Sequence, residues 1–115
     1  MAVVRVLRIR SANRDIFEAI KKGKKKIETR AATKRYRLIK AGDMIVFVCG
    51  KSKFQKKVRS VEIFRSVGAI LKKYKPVQIN PNTKTEKEAR AIWNSFSGYS
   101  DKIRRYGLIA FKVRD

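Results

Sequence analysis

Between Lys53 and Arg65 the apolar residues change sides partway along an otherwise strand-like run. Phe54 and Val58 fall on even positions, Val61 and Ile63 on odd ones. Side chains alternate faces along a strand, so such a run keeps one apolar phase only if an extra residue is inserted; a bulge or sharp bend is predicted near Ser60. A long strand bent in its middle lets a small sheet curl into a barrel. Before it come Met44 to Cys49, with no polar side chain, and the turn Gly50-Lys51-Ser52. That run suits a strand covered on both faces. Lys53, Lys57 and Arg59 fall on one face of the first half of the long strand.

The other elements follow from local signals. Val3 to Ile9 is rich in Val, Leu and Ile and reads as a first strand. Ser11 or Asn13 can cap a helix running to about Lys22, with Asp15 in its first turn and Ile16, Phe17, Ala19 and Ile20 as its apolar stripe. Gly23 fits the left-handed position after a helix C-terminus. Ser66 caps a short helix carrying Val67, Ile70, Leu71 and Tyr74. Lys72 to Thr85, with both prolines and no periodicity, reads as a long mobile loop. Thr85-Glu86-Lys87-Glu88 is a capping box opening a helix with Ala89, Ile92, Trp93 and Phe96 on one face, ending near Gly98; Trp93 reads as core. Tyr106 to Val113 closes the chain as a strand with Ile109, Phe111 and Val113 inward. The order β-α-β-β-β-α-α-β defines an α+β fold, a small curled mixed barrel with about three helices packed around it, in a single domain over residues 1–115.

The charge balance narrows the partners. Against 9 Asp and Glu stand 31 Lys and Arg, a formal net charge of +22. So one-sided a surface concentrates polyanions, which makes RNA, single-stranded or structured, the default partner and duplex DNA a second one. No run approaches the ~18 continuous apolar residues of a membrane-spanning helix, and no membrane partner is expected. The sequence has no histidine and one cysteine, Cys49, inside an apolar strand. A disulfide, a Cys-based metal site and a histidine-activated thiol are therefore excluded, and neither metal nor cofactor is expected. Lone buried Cys49 and the absence of a signal-peptide pattern point to a reducing, cytoplasmic setting. A monomer is expected.

The stretch Gly23-Lys24-Lys25-Lys26-Ile27-Glu28-Thr29-Arg30 carries the most chemistry. Strand alternation puts Lys26, Glu28 and Arg30 on one face and Ile27 and Thr29 on the other. A carboxylate among cations can bind an anion, orient a base, or serve solubility alone. Downstream, Thr33-Lys34-Arg35-Tyr36-Arg37-Leu38-Ile39-Lys40 places one aromatic among cations. Tyr36 either stacks on an unpaired base while Lys34, Arg35 and Arg37 hold phosphates, or packs inward with Leu38 and Ile39.

Four segments together, Gly23 to Arg30, Ile39-Lys40-Ala41-Gly42-Asp43, Lys57-Val58-Arg59-Ser60-Val61 and Tyr106-Gly107-Leu108-Ile109-Ala110-Phe111, resemble the ASCH domain family of the PUA-like group of small β-barrels. The resemblance covers nearly the whole chain. It implies an RNA-binding module whose cleft lies beside the barrel, framed by the first helix and the following strand, with Lys25, Glu28 and Arg30 at the cleft. Some relatives are hydrolases of acetylcytidine that use a lysine, a threonine and a glutamate. In this sequence the lysine position is Lys25, the threonine position is Glu28, and Phe64 to Lys75, where the glutamate would fall, has no carboxylate.

Two functions follow. One is an RNA-binding module, reading a flipped or modified base with Lys24, Lys25, Lys26, Glu28, Arg30, Lys34, Arg35, Tyr36, Arg37, Lys53, Lys57 and Arg59. The other is a hydrolase of RNA or of modified nucleosides, ribonuclease or acetylcytidine amidohydrolase in type. It would use Lys25, its pKa depressed by Lys24, Lys26 and Arg30, together with Glu28.

Overall fold

The computed structural model describes residues 3–115. Five strands, β1 (Val4–Arg8), β2 (Ile27–Ala31), β3 (Met44–Cys49), β4 (Ser52–Phe64) and β5 (Leu108–Arg114), form one mixed sheet in the order β1-β3-β4-β5-β2. β1 runs parallel to β3 and the other pairs are antiparallel. The bulge predicted from the phase slip is there. The β4–β5 register shifts between Val58 and Ser60, leaving Arg59 as the extra residue. Phe64, rather than Ile63, is the buried residue beyond it, and Ile63 stays exposed.

The sheet curls but does not close. β1 and β2 are its edges, and the nearest thing to closure is a hydrogen bond from the Arg30 guanidinium on β2 to the carbonyl of Arg8 at the end of β1, 3.2 Å. The fold is thus a half-barrel rather than the full barrel expected. Strand β5, between β4 and β2, shows why the C-terminal run is apolar at successive positions: Ile109, Phe111 and Val113 join one core cluster, Leu108 and Ala110 the other. The first cluster is filled by Phe17 and Ile20 of α1 (Arg14–Lys21) with Leu7, Ile45 and Phe47. Phe54 stacks on Phe47 there, centroids 5.2 Å apart.

The described residues contain six helices, not about three. Lys34–Arg37 (α2) is a single helical turn, and Pro76–Ile79 (α4) is another inside the stretch expected to be a loop. Pro76 sits at the first helical position, where its missing N–H costs nothing. Ile79 and Thr83 are buried, so the segment is packed down. Tyr99–Tyr106 (α6) buries Ile103 against the second cluster; its charged sequence hides this single anchor. α3 (Val67–Lys73) and α5 (Glu86–Ser95) start at the predicted caps, Ser66 accepting from the Ala69 amide and Thr85 forming its box with Glu88. α1 instead follows a 3-10 turn, Ser11–Asn13, and neither Ser11 nor Asn13 caps it through a side chain. No helix among the described residues is long and apolar enough to cross a membrane.

Candidate functional site

Edge strand β2 leaves one side free, and a cleft of about 380 Å³ opens there. Its polar floor is Lys25, Glu28, Thr29 and Arg30. Arg8 and Arg10 reach it from the end of β1, and α5, α6 and their connection supply Trp93, Phe96, Tyr99 and Lys102. The volume falls in the range of small-molecule sites, and the mix of apolar walls with a few convergent charges is what such sites have.

The floor is a buried charge triad. Lys25 is 3% exposed and Glu28 8%. The Lys25 ammonium donates to the carbonyl of Ile27, 2.6 Å, and to that of Ile79, and lies 3.7 Å from a Glu28 oxygen. Two of the three protons thus have acceptors within the protein, and Glu28 is the ion-pair partner. Burial lowers the Lys25 pKa, Glu28 opposes the shift, and Arg30 adds to it. Lys24 and Lys26 are exposed, so the depression expected from them comes from burial instead. Bonded to the carbonyls of Ile27 and Ile79, Lys25 clamps β2 to α4.

Glu28 accepts from the Thr29 amide, 2.9 Å, on one oxygen and from Arg30, 3.4 Å, on the other. Burial alone would raise its pKa, but Lys25 and Arg30 outweigh it and hold the carboxyl below the usual carboxylate range. An unfolded glutamate titrates near ~4.3. The native state therefore keeps its charge where the unfolded chain has already taken up a proton. The stabilisation is complete above the unfolded value and lost as pH falls through the lower folded one. Thermal melts from about pH 5 to about pH 3 should show it as a falling midpoint whose slope flattens in Glu28→Gln. An acid limb identical in the two proteins would refute this linkage.

Arg30 also rests over the Tyr36 ring at 5.8 Å, with Arg35 at 5.4 Å. Tyr36 is half-buried against the first core and does not line the cleft. Tyr99 is tied as well, its hydroxyl accepting from the Ala31 amide at the unpaired side of β2, 2.6 Å. Phe96 meets Tyr99 edge-on at 5.5 Å and carries the Arg10 guanidinium at 5.5 Å from its centroid.

Of the residues predicted from sequence, Lys25, Glu28 and Arg30 line the cleft together. Lys24, Lys34, Arg35, Arg37, Lys53 and Lys57 are exposed elsewhere. Arg37 is committed to the carbonyls of Ala32 and Tyr106 at 2.6 and 2.7 Å. Lys26 and Arg59 meet in a second basic groove with Lys56, Lys112 and Arg114, which shares Lys25 with the cleft, so Lys26 does not line the cleft with Glu28 and Arg30 as its alternation suggested. Trp93 is both core, as predicted, and a wall of the cleft. Sequence reasoning missed Arg8, Arg10, Phe96, Tyr99 and Lys102. No group of His, Cys, Asp or Glu among the described residues could hold a metal ion.

A curled α+β half-barrel with a charged, aromatic-walled cleft at an open sheet edge is the class of protein defined here. The chain belongs to the ASCH domain family, whose model matches residues 11–114. Two solved structures are similar over nearly their whole length. The crystal structure of the hypothetical protein PH0355 is 28% identical, with TM-score 0.77, covering 99% of this chain and 98% of that one. The solution NMR structure of protein PF0455 from Pyrococcus furiosus is 28% identical, with TM-score 0.73, covering 99% and 96%. No curated protein matches the sequence.

The segments that carried the resemblance have physical reasons in this fold. Asp43 of the Ile39 to Asp43 segment is buried and accepts from the Lys40 amide, 3.0 Å, and the Val3 amide, 3.3 Å, fixing the turn and the start of β1 at once. These residues build the scaffold, and the cleft lies elsewhere.

Proposed function

We propose that this ASCH domain is an RNA-binding module of the PUA-like type that takes an unstacked base into the cleft and holds the flanking phosphates at its rim. One observation carries the reading: ionised Glu28 lies in a concavity walled by Trp93 and Phe96 and rimmed by Arg8, Arg10 and Lys102. Aromatic faces bind bases whatever their sequence, and a carboxylate accepts hydrogen bonds from a base edge but repels phosphate. The cations therefore belong to the backbone and the acid to the base. The second basic groove and the exposed lysines of β4 add sequence-independent attraction.

Fluorescence anisotropy with a short single-stranded RNA at several salt concentrations tests this. The logarithm of affinity should fall linearly with the logarithm of salt, and Arg10→Ala and Lys102→Ala should each weaken binding and reduce the slope by about 1. Single-stranded RNA should outcompete duplex DNA, whose bases are stacked out of reach. Binding indifferent to salt and to both substitutions, or a preference for the duplex, would defeat the proposal.

A further inference from the structure

The hydrogen-bonding capacity left over in the cleft floor is specific. Lys25 has spent two protons on the carbonyls of Ile27 and Ile79, and it faces Glu28 as an ion pair at 3.7 Å, longer than a hydrogen bond. The Thr29 amide is spent on Glu28. Each oxygen of Glu28 accepts one hydrogen bond, from Thr29 or from Arg30, while an ionised carboxylate offers about four lone-pair sites. Arg30 uses one terminal nitrogen on Glu28 and the Arg8 carbonyl, and the rest of its fork has no partner among the hydrogen bonds of the described residues. What remains is a row of two acceptors, the oxygens of Glu28, with a donor, Arg30, beside them.

Resting on the RNA-binding reading above, we infer that the cleft selects guanine among the four ordinary bases. Guanine alone presents two adjacent N–H donors, N1–H and the N2 amine, followed by an acceptor, O6, which is the complement of Glu28 and Arg30. Uracil has one donor flanked by acceptors, so a carbonyl would face a carboxylate oxygen. Adenine and cytosine present a ring-nitrogen acceptor beside a single amine, with the same conflict. Leaving a buried carboxylate oxygen opposite a lone pair costs both the missing bond and the desolvation of the acid.

The inference is tested with uridine oligonucleotides of about ten residues carrying one central guanosine, adenosine, cytidine, inosine or 1-methylguanosine, measured by anisotropy at fixed salt against the unsubstituted oligomer. Guanosine should bind at least about tenfold more tightly than adenosine, cytidine or uridine, as a bidentate pair discriminates. Inosine, lacking the N2 amine, and 1-methylguanosine, lacking N1–H, should each lose most of that advantage. Glu28→Gln, which converts one acceptor to a donor, should abolish the guanosine preference and shift it toward adenosine or cytidine. The modified bases probe the same contacts from the ligand side, so the test survives if the variant does not fold. Equal affinity for every central base, with the salt slope retained, overturns the guanine reading and leaves RNA binding standing. Inosine binding as tightly as guanosine also overturns it. Failure to bind any oligonucleotide overturns both.

Discussion

Replacing Lys25 by methionine is expected to destabilise the protein by about 3–5 kcal/mol, the range for removing one partner of a buried ion pair. The loss is threefold. Glu28 remains buried with Arg30 as its one cationic neighbour, and the carbonyls of Ile27 and Ile79 lose their shared donor. Because Ile79 ends α4, the segment it belongs to should come loose, visible as faster amide exchange around 76–83 than elsewhere. Arginine should not restore the site, since a planar fork cannot place its donors on two carbonyls arranged around one nitrogen. The double variant Lys25→Met, Glu28→Gln should recover part of the loss by removing the unpaired charge. Urea titrations of the four proteins decide the matter; a Lys25→Met midpoint equal to that of the parent would show that the triad contributes nothing.

The second large effect is expected at Gly107. It joins α6 to β5 with φ 82° and ψ −169°, a region that only glycine occupies readily. A methyl group there would press on the backbone carbonyl of Phe64, which cannot swing aside because Phe64 is paired with Leu108. Gly107→Ala should therefore cost about 3–5 kcal/mol, strain and overpacking together. Gly23→Ala supplies the contrast: φ is 81° but nothing lies within 4 Å of the added carbon, so about 1 kcal/mol is expected. With a total stability on the order of 5–15 kcal/mol, the first substitution threatens folding and the second does not. Similar losses at both positions would show that the close approach to Phe64 is unimportant.

How much of this was legible in the sequence depended on whether its cause was local. The bulge at Arg59 was, because strand alternation turns one inserted residue into a visible change of phase between Val58 and Val61. The caps at Ser66 and Thr85 were, because they act over three residues. α4 and α6 were not: one is a single turn begun by a proline, the other has Ile103 as its one fully buried side chain, and neither leaves a periodic stripe. Half of the cleft was readable as an acid among cations. The aromatic half lies roughly seventy residues away along the chain, and only the packing of α5 and α6 brings it to β2. Among three consecutive lysines the sequence did hold one unused signal. Lys25 shares its parity with buried Ile27 and Thr29, which marks it as the inward member of the three.

The position of β5 between β4 and β2 governs when the cleft can form. β2 has no sheet neighbour among the described residues except β5, which is translated some seventy-five residues later. At the ~5–20 residues per second of synthesis, the acid of β2 waits seconds for the strand that will hold it. During that interval the nascent polypeptide has its positive charge but no cleft. The cleft is complete only once β5 pairs with β2 and brings it into the sheet.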